Sequence, residues 1–225
     1  MHNLVTRPVL NSTWTLVPGG GSFTALTWYP SPAPLVGVGT DHKLRTRSSL
    51  SSPWTVVQSP ASLSSIAVRL DGSFIGAGTD NYLWVGQALT GAWYQVVGSS
   101  GIVSVTSMPD GSYVAAGTDK CLYSRPWLNG CNWTKVPSSG DVISVLGLAD
   151  GSILAVGTDN MLYRRATLND SWQGVPGSGG VKSVAAFKDG SILGVGLDGG
   201  LVVWKNQAWS SVPGSGPLLW ICTVR

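Results

Sequence analysis

Three residue types recur at fixed spacing along this chain, and together they can grip a polyhydroxyl ring. Trp14, Trp54, Trp93, Trp133, Trp172 and Trp209 follow one another at intervals of 40, 39, 40, 39 and 37 residues. An indole face stacks on the apolar face of a sugar; its competing use is as a structural wedge, because it buries a large apolar area. Asp41, Asp80, Asp119, Asp159 and Asp198 each end a Gly-Thr-Asp or Gly-Leu-Asp turn, 27 residues after the Trp in the first copy and 26 in the other four. Their carboxylates can accept hydrogen bonds from sugar hydroxyls, or they can close their own turn by accepting from the backbone two residues on. Arg47, Arg125 and Arg165 stand six residues after the turn aspartate, and Arg7 stands at the matching place after Met1. Gly86 and Trp204 hold that position in the remaining copies. A planar guanidinium suits the carboxylate or sulfate groups of an acidic glycan. A repeated ligand site and a repeated wedge predict the same pattern, so repetition alone leaves both uses open.

Catalytic and metal chemistry have little support. His2 and His42 are the only histidines, with no pairing evident, and no Gly-x-Ser-x-Gly, HExxH or CxxC motif occurs. The turn aspartates lie a full repeat apart, so no local oxygen cage for a cation is written into the chain. The expectation is a binding protein with no enzymatic activity, no cofactor and no metal.

The elements that must position these residues are read from the cleanest copy, Asp141 to Trp172. Val142 to Leu148 alternates loosely with small residues, as a strand buried on both faces would. Asp150-Gly151 marks a tight hairpin turn, Ile153 to Val156 a second strand, and Thr158-Asp159-Asn160 a second turn. Leu162 to Ala166 is the third strand, and the loop Leu168-Asn169-Asp170-Ser171 leads to an outer strand, Trp172 to Val175. Asp-Gly recurs at 71–72, 110–111, 150–151 and 189–190. The first copy carries Tyr29-Pro30-Ser31-Pro32-Ala33-Pro34 in its place. Four antiparallel strands in about forty residues, repeated, is the pattern of an all-β propeller built from four-stranded blades.

Composition agrees. The 225 residues are 43% hydrophobic and only 11% charged, with 30 glycines and 13 prolines spread among turns. All acidic residues are Asp; the absence of Glu, a helix former, argues independently against helices. A net charge of +3 with no basic run excludes the linear footprint of a nucleic-acid-binding protein. No apolar stretch reaches eighteen residues and the first residues lack a signal-peptide layout, so the expectation is a soluble, cytoplasmic chain without membrane insertion, non-classical secretion being the other route. Cys121, Cys131 and Cys222 are an odd count without metal spacing, and hairpin register keeps Cys121 and Cys131 apart, so reduced thiols are expected.

The chain ends complement one another. Trp209 to Arg225 matches an outer strand and the next inner strand, while Leu4 to Trp14 matches a third strand and its loop. The expectation is one domain over residues 1–225 with six blades, five complete and a composite sixth closed by both termini; five blades is the alternative. A short closing blade would leave an unpaired edge, through which a second copy could associate.

The motifs Trp-x-x-Val-Pro-x-Ser-Gly, Val-x-Ser-Val, Asp-Gly-Ser-Ile-Leu-x-Val-Gly and Leu-Tyr-x-Arg resemble the repeat of tectonin-type propellers, and the Asn/Asp loop before Trp is similar to that of tachylectin-2. The resemblance spans nearly the whole chain, with Gly-Thr-Asp where the tectonin pattern has Gly-Val-Asn. It implies an innate-immune or defence lectin whose pockets, between or beside blades, take sugars such as N-acetylglucosamine or methylated glycans. The functional expectation is therefore a multivalent carbohydrate-binding protein with about five or six shallow sites acting by avidity. The other expectations are a protein-interaction scaffold, using blade-specific residues such as Trp28, Tyr29 and the proline-rich turn, and a propeller enzyme acting in its channel. Trp28, Trp84, Trp127, Trp204 and Trp220 stand where sister copies hold other residues, so any of them exposed would mark a contact site.

Overall fold

In the computed structural model of this protein, the described residues are 5–6, 15–17, 19, 21–28, 35–59, 62–69, 71–129, 132–186, 190–205 and 208–212, with backbone alone for Val5, Thr6, Leu16 and Trp28. The repeat is realised as five four-stranded antiparallel sheets, each ordered as the chain runs. The third blade, for example, consists of Ile102–Ser107, Tyr113–Gly117, Leu122–Arg125 and Thr134–Lys135. The fourth consists of Val142–Gly147, Ile153–Gly157, Leu162–Arg165 and Gln173–Gly174. The first begins at Phe23–Trp28, the second has Ala67–Val68 and a Leu63–Gly78 bridge as its inner edge, and the fifth begins at Val181–Ala186. This is the expected all-β propeller ring, and its four-stranded blades number five, as in the alternative blade count. The composite sixth blade is not formed among the described residues. Val5–Thr6 pairs with Thr15–Leu16 as a two-stranded sheet only, and residues 213–225, the expected inner-strand contribution, lie outside the described residues.

Local chemistry explains the blades. At each described Asp-Gly turn the carboxylate accepts from the amide and hydroxyl of the following Ser, at 2.9 and 2.5 Å for Asp71 and Ser73 and at 3.0 and 2.6 Å for Asp150 and Ser152. The paired glycines take positive φ, +80° at Gly72 and +82° at Gly151, which a side chain would resist. The second strand, not the inner one, is the fully buried element: all five residues of Ile153–Gly157 are buried, whereas the inner strand alternates. Four inner strands carry a bulge at the same step, as between Val142 and Ser144.

Blades pack through apolar layers that alternate with the sheets. Ile75, Val85 and Val96 of the second blade meet Ile102, Tyr113 and Ala115 of the third, with Trp133 packed against them. Trp93 sits in the layer between the first and second blades, Trp172 between the third and fourth, and Trp209 between the fourth and fifth. Trp93, Trp133, Trp172 and Trp209 are therefore interblade wedges, each packing its indole at the seam with the preceding blade, whereas Trp54 packs on Phe23, Leu26 and Leu35 of its own blade.

Candidate functional site

One seam, between the second and third blades, holds a cleft of about 260 Å³. It is lined by Gly98, Ser100, Gly101 and Ile102 of the connecting segment, by Thr118 and Asp119 of the turn, and by Tyr123 and Trp133. Sequence spacing had set Asp119 and Trp133 apart as candidates; the fold brings them into one cleft.

Why the wall stands still follows from backbone bonding. Ser99 is fully buried; its hydroxyl donates to the Val96 carbonyl at 2.6 Å and accepts from the Leu83 amide at 2.9 Å. Ser139 and Ser178 accept from Leu122 and Leu162 in the same way at the next two seams. This is the physical meaning of the repeated Ser in the Val-Pro-x-Ser motif. The Thr118 amide donates to the Gly101 carbonyl at 2.7 Å, tying the turn to the connecting segment, and Thr40, Thr79, Thr158 and Leu197 repeat that bond. Gly98 and Gly101 hold φ of +73° and +76°, so glycine keeps this segment in a conformation other residues resist. A Cβ on Gly101 would stand 3.3 Å from the Thr118 hydroxyl.

The turn aspartates do two things at once. One oxygen of each accepts from the amide two residues later, at 3.2 Å for Asp41, 3.1 Å for Asp80 and Asp119, 3.0 Å for Asp159 and 2.8 Å for Asp198. The second oxygen, where it has a side-chain partner, meets the residue four positions on. Arg45 holds Asp41 through two bonds of 2.6 Å, the Trp84 indole N–H reaches Asp80 at 3.4 Å, and Tyr123 and Tyr163 donate to Asp119 and Asp159 at 2.8 and 2.7 Å. Val202 stands at the fifth such position and offers no donor. Lys135, across the sheet from Tyr123, adds an ion pair to Asp119 at 2.9 Å.

Glycine opens each of the five turns, at 39, 78, 117, 157 and 196. Its φ is not positive; the reason is crowding. A Cβ on Gly117 would lie 2.6 Å from the Asp119 carboxylate and 2.8 Å from the Tyr123 ring, and Gly157 repeats this with Asp159 and Tyr163.

Charge in the cleft is well defined. The Lys135 ammonium, with help from the Tyr123 phenol, lowers the Asp119 carboxyl to about 2. Asp159 is lowered by its bond from Tyr163, and Asp41 is held far below the carboxylate range by Arg45. The phenols of Tyr123 and Tyr163 are raised in turn by the carboxylates they serve. At neutral pH the cleft thus presents an ionised carboxylate, an oriented phenol, hydroxyls and an indole wall.

The repeated arginines lie elsewhere. Arg47, Arg125 and Arg165 are only 2%, 1% and 2% exposed. Arg47 donates from Nε to the Ser49 carbonyl at 2.8 Å and from Nη2 to that of Leu50 at 2.5 Å; Arg165 bonds the carbonyls of Thr167 at 3.1 Å, Leu168 at 2.7 Å and Asp170. Each guanidinium lies over the wedge Trp of its own blade, 5.1 Å from the Trp54 centroid, 5.7 Å from Trp133 and 5.1 Å from Trp172. Their partners among the described residues are backbone carbonyls and an indole. Copies lacking the Arg have a packing reason. A Cβ on Gly86 would collide with the Trp93 ring, and Trp204 pairs across the sheet with Trp209. Arg7 and Trp14 lie outside the described residues, as do Tyr29 and the proline-rich turn.

The position four residues after each turn aspartate, missed as a class because its residue changes from copy to copy, is what distinguishes one cleft from another. Period-four spacing from an aspartate that opens a strand was the available signal. Among the described residues no group of three or more His, Cys, Asp or Glu could hold a metal, and no helix is long and apolar enough to cross a membrane.

No protein-family model matches the chain, and no curated protein does. Among solved structures, a crystallised protein of unknown function from Bacteroides thetaiotaomicron VPI-5482 is similar, with a TM-score of 0.71 and 13% identity over 90% of this chain. The chain spans 64% of that protein's length, and likeness at this identity shows the propeller fold alone.

Proposed function

We propose that this propeller binds carbohydrate in its interblade clefts. The observation that carries the proposal is the third-blade cleft, where an ionised Asp119, the phenol of Tyr123, the hydroxyls of Ser100 and Thr118 and the Trp133 indole line one concavity of about 260 Å³. That volume lies just below the range of drug-sized pockets and suits a single sugar ring. Carboxylate and hydroxyl groups that accept and donate within a few ångströms of an aromatic wall meet the two chemistries of a pyranose, its hydroxyl rim and its C–H face. The resemblance to tectonin and tachylectin-2 repeats supports the same ligand class and names N-acetylglucosamine and methylated sugars as the first to test.

The clefts are unequal. Those of the third and fourth blades share the Asp–Tyr pair, the first has its carboxylate clamped by Arg45, and the fifth has Val202. Occupancy therefore begins in the third and fourth clefts, and avidity comes from neighbouring sites on one ring. A broad glycan array and crystal soaks with N-acetylglucosamine and a methylated sugar test this. The expected result is ligand density first at Asp119 and Asp159. An array at background, with no agglutination of any cell type, would overturn the proposal.

A further inference from the structure

Two apolar side chains near the third-blade cleft are largely exposed. Val97 and Trp127 are 85% and 61% exposed, more than any other large apolar side chain among the described residues. Both depart from the repeat. Pro137 and Pro176 stand where Val97 does in the following copies, and Ser49, Ala88 and Thr167 stand where Trp127 does. Sister copies build the same segment and loop with other residues at both places. A large aromatic more than half exposed marks a contact surface.

Their place in the fold puts them beside the cleft. Leu128, next to Trp127, is buried in one apolar layer with Val96, next to Val97, and with Ile102, and Trp133 packs on that layer. Arg125 reaches from the end of the third strand to the Val97 carbonyl at 3.1 Å and lies over Trp133. Gly98, which follows Val97, is itself a cleft wall. The polar end is at Asp119, Tyr123 and Lys135, where Tyr123 and Lys135 face each other across the sheet. The four-residue strand Leu122–Arg125 separates the two ends, about 10 Å at strand rise. A ligand filling both ends is amphipathic along its length.

We infer that the third-blade cleft takes a sugar carrying an apolar substituent, with the ring on Asp119 and Tyr123 and the substituent against Val97 and Trp127. This rests on the carbohydrate proposal and names the ligand class of one of its sites. An alkyl chain and an aryl group share this chemistry, since either covers Trp127 and removes apolar surface from water.

Calorimetric titration with the methyl, octyl and phenyl glycosides of N-acetylglucosamine, each below any micelle-forming concentration, separates the possibilities. The expected result is about tenfold tighter binding of the octyl or phenyl glycoside than of the methyl one, at one site per chain, equivalent to roughly 1.4 kcal/mol. Trp127→Ala removes that gain and leaves methyl-glycoside affinity unchanged, and Val97→Ser removes part of it. A gain from octyl alone assigns a lipid-like substituent, and one from phenyl alone an aromatic one; either supports the inference. Equal affinities for all three glycosides, or a gain that survives Trp127→Ala, overturns the inference while the carbohydrate proposal stands. A protein that binds none of the three and leaves a glycan array at background loses both.

Discussion

Replacing Arg165 by Met decides whether the repeated arginines are scaffold or ligand contacts. Methionine keeps much of the buried stem and deletes the guanidinium. What is lost is the set of bonds to the Thr167, Leu168 and Asp170 carbonyls and the stack on Trp172 at 5.1 Å. Leaving buried acceptors without donors costs on the order of 1–3 kcal/mol, and a cation over an indole contributes about 0.5–1 kcal/mol. A net loss of about 2–3 kcal/mol follows after the loop relaxes. For a chain of this length, one kcal/mol shifts Tm by roughly 2–4 °C, so the variant should melt about 5–10 °C lower. Arg165→Lys should lose nearly as much, because an ammonium cannot span three carbonyls as a planar fork does. The assay is thermal unfolding by circular dichroism, paired with glycan titration at a temperature where both proteins are folded. Affinity should hold within a factor of two. A variant with unchanged Tm and abolished glycan binding would refute the reasoning and return Arg165 to the ligand.

Restoring the repeat at Gly86 should harm rather than help: Gly86→Arg pushes a Cβ into the Trp93 ring, and overpacking of this kind costs about 1–3 kcal/mol, read as a lower denaturation midpoint in urea. Gly101→Ala places a side chain at φ +76° and 3.3 Å from the Thr118 hydroxyl, so it should cost about 1 kcal/mol in the same assay and weaken binding at the third cleft. The folded Asp119 titrates near 2, below its ordinary 3.8, so its stabilising contribution is complete above about 4 and fades as pH falls through about 2. Binding at the third cleft should therefore stay flat from pH 4 to 9, and a carboxyl NMR titration of Asp119 with a midpoint at or above 4 would contradict the ion pair with Lys135. Asp119→Asn combined with Asp159→Asn should remove most calorimetric binding at low ligand concentration, whereas Asp198→Asn should remove little; equal losses would show that the residue four positions on does not grade the clefts.

Blades were readable because their causes repeat. Asp150-Gly151-Ser152 closes its hairpin through bonds that Asp71 and Asp110 make again, and Trp172 fills the same seam as Trp93 and Trp133. Blade number was harder, because five and six blades share one local chemistry and differ only in how the ring closes. The role of the arginines was hidden for another reason. Their carbonyl partners carry no side-chain identity, so nothing in the letters Ser49, Leu50 or Thr167 marks them as acceptors. Where Gly86 and Trp204 replace the Arg, the wedge Trp lies on a glycine or beside another Trp, a second packing solution.

A period discloses what every copy must do, and every copy must fold; selectivity among ligands has to be sought where copies disagree. The turn aspartate is common to all five described blades and closes its own turn in each, so its presence says nothing about which cleft is used. The partner of its second oxygen does. Arg45 donates one short bond to each oxygen of Asp41 and competes directly with a hydroxyl donor from a ligand. Tyr163 satisfies the second oxygen with one bond, and Tyr123 does so beside the Lys135 ammonium; each keeps an aromatic edge next to the carboxylate. Substituting Arg45 by Tyr should therefore open the first cleft without disturbing the fold, since Tyr occupies that position in two sister blades, and a third equivalent of sugar should appear in titration. A stoichiometry that does not rise would mean that the connecting segment, where the first blade has Ser22 in place of Gly101, controls entry instead.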